Sequence, residues 1–388
     1  MTAATEAPYA GRVVYDADSH LMELPGWLVE YADPDVRELI RPLYLGGAGA
    51  LADDAVARAE SRRTDGESAA TVEIMSHKGW HALGAFDAAE RSRALDRLGF
   101  AAQLVFSTFA PTQFLSDDPA LLFGGTRAHN RAMVDFCRED ARLLPVGFVP
   151  WGAPELTFRA AKEAIDLGCA AILVPSVPAR DGVSPTHPDH HPLWALLQDA
   201  DVPFVLHIGG GGRLTRPVFH RNGIEVTDFL GGGENIRAKD YIGISHPPEM
   251  FLAAMVFDGI LEKFPNLRGG SIEQGALWVV PWMRKLDLAQ RTFGRTEPVL
   301  RDLGLLPSEY VRRQLRFTPF PGEPVGWMIE HAGDELFCFS SDYPHPEGTR
   351  DPIARFETTL DGVDHNARDR FYTTNFADLM GSQFSPLA

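Results

Sequence analysis

The chain is poor in cysteine, with Cys137, Cys169 and Cys338 the only three in 388 residues. An odd count inside apolar segments argues against a disulfide framework and fits buried free thiols in a reducing cytoplasm. Basic residues are in deficit too: 36 Lys and Arg stand against 53 Asp and Glu, for a formal net charge of −17. Nucleic acid and anionic membrane surfaces are polyanions, so neither is expected as a partner. No run reaches the ~18 consecutive apolar residues that a membrane span requires. The opening MTAATEAPYAGR has no basic n-region and no apolar h-region, so a secretory signal is not expected and a cytoplasmic location is. No period in the range of about 20–50 residues recurs. The glycine clusters at 209–212 and 231–233 fit no phosphate-binding fingerprint.

What is present is an ordinary globular composition, 45% hydrophobic and 23% charged. Its first informative stretch is VVYDADSHLMELP, where Asp16, Asp18 and His20 follow a short apolar lead. Side chains alternate across a strand, so this spacing predicts all three on one side. Two carboxylates and an imidazole are costly to bury unless they are paired, hydrogen-bonded or bound to a metal.

Eight apolar, β-branched segments recur along the chain. They are VVYDADSH, 101–108, 144–150, 170–176, 203–209, 268–275, 315–320 and 335–343, with the sixth and seventh weak by propensity. Amphipathic helices lie between them. PELTFRAAKEAIDLG carries Pro154 near its start, Ala160, Ala161, Ala164 and Ile165 on one stripe, and Gly168 as a stop. EMFLAAMVFDGILEKFP predicts one continuous helix with Phe251, Leu252, Met255, Val256 and Ile260 on a single face. Eightfold strand–helix alternation with near-continuous apolar strands predicts one α/β domain over 1–388, a (β/α)8 TIM barrel, with an open doubly wound sheet as the competitor. Long connections after the first and fifth strands, 22–87 and 210–248, fall on the C-terminal face, where barrel active sites lie. The first is expected to act as a lid, with Trp80 and Phe86 covering a hydrophobic substrate.

Barrel closure brings strand ends together whatever their distance in sequence. Asp18 and His20 end the first strand, His207 lies near the end of the fifth, Glu273 near the end of the sixth and Asp342 at the end of the eighth. Imidazoles and carboxylates around a water make a mixed N/O site for one divalent ion, Zn2+ by default, with Mn2+ or Fe2+ as harder alternatives. Each residue also has an ordinary reading. A strand-end His is often a satisfied core group, Asp342 in SDYP could cap its turn, and Glu273 could pair with Arg268 or Arg284. His246 could line the pocket as an acid or base, or cap the helix it precedes. THPDHHP at 186–192 has a metal-tract composition, but its prolines favour an exposed loop.

The motifs DADSH, FVLHIG, LEKFPNLRGGSIEQGA, FSSDYPHPEG and FYTTNFADLMG span nearly the whole chain. Together they resemble the amidohydrolase superfamily, in the branch that contains aminocarboxymuconate semialdehyde decarboxylase and γ-resorcylate decarboxylase. The resemblance implies one divalent metal on a His-x-His or Glu-x-His pair, a fifth-strand His and an eighth-strand Asp. Asp18 stands where the first His or Glu usually stands, and His20, His207 and Asp342 match the other positions. Glu23 is the substitute for Asp18 if the chain turns back into the site. The branch commonly has a His in its sixth-strand motif, and this chain has Glu273 there. The resemblance also places His345 beside the site, against substrate or behind the ligands. The expected activity is hydrolysis by a metal-activated water, with Glu273 or Asp342 as base, on a small aromatic or hydrophobic substrate with a carboxylate or phenol. Non-oxidative decarboxylation of an aromatic or muconate-type acid ranks second, and a non-catalytic ligand-binding barrel third. A homodimer is expected.

Overall fold

The computed structural model describes residues 13–64, 74–177, 182–209, 214–225, 236–382 and 384–385. Seven parallel strands pair in sequential order: β1 (Tyr15–Leu21), β2 (Ala102–Ser107), β3 (Leu143–Phe148), β4 (Ala171–Leu173), β5 (Phe204–His207), β6 (Gly269–Ile272) and β7 (Leu315–Phe317). The eighth predicted strand is not regular, yet it joins β7 to β1. Phe337 bridges Phe317 and Tyr343 bridges Ser19. Cys338 N donates to Phe317 O at 2.9 Å, and Ala17 N and His20 N donate to Phe339 O and Tyr343 O at 3.0 and 2.7 Å.

The two layers sort by strand parity. Tyr15, Ala17, Leu104, Phe106, Val146, Phe148, Leu173, Val205, Ile272 and Cys338 pack in one buried cluster, the barrel interior. Val105, Ile172, Val174, Phe204, Leu206 and Phe317 join the helices in a second cluster outside it. β6 is weak by propensity for a steric reason. A Cβ on Gly269 would run into the Phe204 ring, so the glycine makes room for an aromatic side chain of β5.

The helix Pro154–Leu167 forms as its sequence predicts. The single helix expected over 249–265 instead divides into His246–Phe257 and Ile260–Lys263. Gly259 between them has φ +75°, which ends one helix and starts the next at no Cβ cost.

β1 departs from simple alternation. Asp16 pairs with Gln103 and Ser19 with Val105, so β1 carries one extra residue, a bulge. Asp18 and His20 reach the barrel mouth, whereas Asp16 is left on the outer side with Gln103 and Ser341. The expectation that Asp16, Asp18 and His20 share one side is therefore corrected. Asp16 accepts from Gln103 Nε2 at 2.7 Å, Ser341 N at 2.8 Å, Ser341 Oγ at 2.6 Å and Asp18 N at 3.2 Å. Burial pushes its carboxyl up to about 7 against those bonds.

The segment after β1 holds the helix Gly49–Thr64 and a 3-10 turn at Trp27–Tyr31. It is tied to the barrel helix Pro119–Cys137. Tyr31 Oη donates to Asp135 Oδ2 at 2.6 Å, and Arg127 and Arg131 pair with Asp33 at 2.9 and 2.7 Å. Its buried Ala52, Ala55 and Trp80 belong to the same cluster as the barrel's outer core. Of the second long connection, 210–213 and 226–235 lie outside the described residues, as do both glycine clusters apart from Gly209.

On the same barrel helix, His129 is fully buried, with Nδ1 2.9 Å from Asn130 Oδ1 and Nε2 2.8 Å from Ser107 Oγ. Burial lowers its pKa to about 4, so the folded protein holds it neutral. The unfolded chain takes up that proton below pH ~6.5. The stability His129 contributes is therefore complete above about 6.5 and is lost as pH falls toward about 4, by up to ~1.4 kcal/mol per pH unit. His129→Gln should show a shallower loss in denaturant melts over that window. An unchanged slope would contradict the linkage.

Candidate metal centre

The first, fifth, sixth and eighth strand ends deliver five side chains to one place. Asp18 Oδ1 lies 3.2 Å from His20 Nε2 and 3.4 Å from His207 Nε2. Glu273 Oε2 lies 3.1 Å from His207 Nε2 and 3.7 Å from His20 Nε2, and Asp342 Oδ1 is 3.5 Å from His20 Nε2. Potential ligand atoms of Asp18, His20, His207 and Glu273 fall within 4.8 Å of one another, as do those of His20, Glu273, Asp342 and His345.

Two backbone turns aim the last carboxylates. Among the described residues only Asp201, Glu273 and Asp342 are non-glycine with positive φ, and the latter two stand at +51° and +53°. Such left-handed residues cost energy, and Glu tolerates the region less readily than Asp. The turn at Glu273 is held by its N–H donating to Thr318 Oγ1 at 2.9 Å. That at Asp342 is held by its N–H donating to Asp18 O at 3.0 Å.

A cation fits this donor set. Neither ring nitrogen of His20 nor Oδ1 of Asp342 makes a well-directed hydrogen bond in this buried place, although Asp18 Oδ1 is 3.2 Å from His20 Nε2 and His345 Nδ1 is 2.8 Å from Asp342 Oδ1. Buried polar atoms are rarely left so unless something binds them. His207 Nδ1 sits 2.9 Å from Ile208 O. With that carbonyl as acceptor, Nδ1 carries the proton and Nε2 is left as a lone-pair donor facing the carboxylates. Burial would raise the Asp18 carboxyl, but the His20 and His207 imidazoles packed against it hold it well below the ordinary carboxylate range. Burial, with the His345 charge beside it, lowers His20 to about 4, so its imidazole is neutral, as ligation requires.

His345 stands beside the cluster. Its ring stacks on His20 at 3.7 Å between centroids, and Nδ1 is 2.8 Å from Asp342 Oδ1. Nε2 is 3.0 Å from Thr108 Oγ1, which also donates to Leu21 O at 2.8 Å. Burial opposes its charge, yet Asp342 outweighs burial and raises its pKa. Phe106 packs against both imidazoles, its ring centroid 4.5 Å from that of His207 and 5.9 Å from that of His20.

The remaining candidates are placed elsewhere. Glu23 is fully buried, and its carboxylate accepts from Thr108 N, Phe109 N and Ala110 N at 2.9, 3.0 and 3.1 Å. It anchors the turn after β2, so it does not replace Asp18. Trp80 is buried, stacked on Phe109 at 5.5 Å with Nε1 donating to Glu23 O at 3.2 Å. It packs the insertion onto that turn and presents little face to a substrate. His246 is exposed at the start of its helix and belongs to neither ligand group. Arg268 pairs with Asp201 at 2.5 Å, not with Glu273. In THPDHHP, Pro188 and Asp189 are exposed as expected of a loop, but His190 is buried against Trp151 with rings 5.1 Å apart.

Charge reading along the chain also missed a buried brace behind β1. Arg91 Nε donates to Gly84 O at 2.8 Å and Nη1 to Gln103 Oε1 at 3.5 Å, while Nη2 donates to the carbonyl of His20. Through Gln103 it connects to Asp16 and Ser341. The backbones that present Asp18, His20 and Asp342 are thus held from outside the barrel. The sequence signal was present in Asp16, a carboxylate too deep for solvent, but its partners lie on other strands.

The amidohydrolase family profile matches residues 15–375, which takes in every strand and every residue of this cluster. The chain belongs to the amidohydrolase family. Solved structures share the fold over nearly their full length. An amidohydrolase of Mycobacterium avium subsp. paratuberculosis K-10 is 20% identical with a TM-score of 0.73, covering 95% of this chain and 99% of that one. The 5-carboxyvanillate decarboxylase of Sphingomonas paucimobilis is 16% identical with a TM-score of 0.62, covering 95% and 98%. A dihydroxybenzoic acid decarboxylase of Polaromonas sp. JS666, solved with manganese and 2-nitroresorcinol, is 16% identical with a TM-score of 0.59, covering 97% and 98%. No curated protein matches in sequence. This amidohydrolase has no helix, among its described residues, long and apolar enough to cross a membrane.

Proposed function

We propose that this amidohydrolase is a metal-dependent, non-oxidative decarboxylase of a small aromatic acid. The observation that carries the proposal is the unsatisfied, mixed N/O donor cluster, set beside Phe106 and a His345–Asp342 pair. Two structural neighbours that cover 95% and 97% of this chain, decarboxylases of aromatic acids, support the same reading. Hydrolysis, first in the sequence ranking because Glu273 replaces a His, has no comparable support.

Asp18, His20 and His207 would hold the ion, with Glu273 or Asp342 completing the set. A divalent ion there supplies positive charge to the substrate's oxygen atoms. Three carboxylates near two imidazoles suit a harder ion, so Mn2+ is preferred over the Zn2+ expected from the sequence. Phe106, buried against the His207 and His20 rings, keeps the base of the cluster apolar. The His345–Asp342 pair delivers a proton to the ring carbon that bears the carboxyl group. The carbon–carbon bond then breaks, its electron pair returns to the ring, and carbon dioxide leaves. The described residues of the first long connection, 22–64 and 74–87, form a side wall of the mouth in this reading.

A second reading is kept for one observation: Glu273 is turned into the cluster by a left-handed backbone, as a base beside a metal-bound water would be. Purified protein loaded with Mn2+ and supplied with hydroxybenzoates, amides and lactones in 18O-water separates the two. Carbon dioxide release without solvent oxygen in the product is the expected result. Solvent oxygen incorporated without carbon dioxide would sink decarboxylation.

A further inference from the structure

Lys78 lies in the insertion after β1 and is half-buried against the loop that follows Asp342. Two contacts fix it there. The adjacent Gly79 N donates to Pro344 O at 2.7 Å, and Lys78 Nζ donates to Thr349 O at 3.3 Å. An ammonium has three donors, and this carbonyl is the one partner found for it among the described residues. It forms no ion pair there. Thr349 Oγ1, on the residue whose carbonyl Lys78 already holds, is buried without a hydrogen-bond partner.

The loop is shaped around this cation. A Cβ on Gly348 would stand 2.7 Å from Ser341 O, 3.0 Å from Asp342 O and 3.1 Å from Lys78 Nζ. A side chain at 348 would crowd both the ammonium and the turn that presents Asp342. The nearby charges of Asp342 and Glu347 favour the cation, but burial outweighs them and lowers Lys78 to about 8. A half-buried, unpaired cation beside a candidate active site gains most from a bound anion.

We propose that Lys78 forms a subsite for a second anionic group of the substrate, a carboxylate distinct from the one at the metal cluster. This rests on the decarboxylase reading for what occupies the cluster, and it narrows the substrate class to aromatic acids with two acidic groups. No role for Lys78 in bond breaking is implied; it binds and orients.

Benzoate and isophthalate, which differ by one carboxylate, are the probes, titrated calorimetrically into the Mn2+-loaded protein. Wild type should bind isophthalate about 10-fold more tightly, the ratio one charge-assisted hydrogen bond supplies. Lys78→Met and Lys78→Gln should lose that preference while keeping the benzoate affinity and bound manganese, and Lys78→Arg should retain most of it. A preference that survives in both neutral variants, or that is absent from wild type, overturns the proposal; the wild-type arm needs no variant to fold. Carbon dioxide release is read separately. A wild-type preference without any decarboxylation would sink the reaction and keep the subsite, and decarboxylation without the preference would do the reverse.

Discussion

His207→Ala should abolish turnover and cut bound metal by at least the ~10-fold typical of a damaged site. The side chain is the single contribution of β5 to the cluster, with Nε2 3.4 Å from Asp18 and 3.1 Å from Glu273. Its other nitrogen is fixed on Ile208 O, which holds the ring in this orientation. Removing it also leaves two carboxylates facing each other across a gap without the imidazole between them. A cation that binds only the folded state stabilises it in proportion to occupancy. Wild type should therefore melt at a lower temperature after chelation, whereas the Ala variant should be insensitive to chelator. Metal analysis decides the matter: full occupancy in the purified variant would remove His207 from the ligand set.

The barrel was legible because near-continuous apolar strands and helical stripes repeat, and a closed parallel sheet is the arrangement that buries both. From it the meeting of Asp18, His20, His207, Glu273 and Asp342 followed, since strand C-terminal ends converge in any such barrel. Register was not legible. Alternation within β1 placed Asp16 beside Asp18, and only its pairing with Gln103 reveals the bulge that sends it outward. Glu23 looked like a spare ligand because its partners are backbone N–H groups, 85 to 87 residues away, which carry no residue signature. Thr108, Arg91 and Lys78 drew no notice for a related reason. Their roles come from carbonyls and hydroxyls of other segments, and a single chain read in order shows none of these. Composition gives no sign that Trp80 and His190 are buried, because their burial depends on rings, Phe109 and Trp151, that other segments bring against them. The ranking of hydrolysis over decarboxylation rested on one residue type at position 273, too little to identify a reaction.

Glu273→Gln keeps the shape of the residue that departs from the pattern of its branch and removes its capacity to take a proton. Where Glu273 is the base of the second reading, the variant should retain its metal while kcat falls ~10²- to 10⁴-fold, the range usual for general acid–base catalysis. Where it completes the ligand set of a decarboxylase, metal should fall with activity. Its carboxylate stands 3.1 and 3.7 Å from the two imidazoles, close enough to act on a group bound between them. The left-handed backbone at 273 is held by Thr318, so Gln should occupy the same place. Glu323 steadies the following turn by accepting from Ala276 N at 2.8 Å and Leu277 N at 3.2 Å, and the substitution leaves those bonds alone. Metal lost along with activity would make Glu273 a ligand and weaken the case for Asp342 as one. If neither changes, Glu273 is structural and proton transfer rests with Asp342 and His345 alone. The pH profile gives an independent check. A carboxylate base loses activity as it is protonated, so wild type should show an acidic limb in kcat that the Gln variant lacks. An acidic limb that persists unchanged in the variant would assign that ionisation to another group.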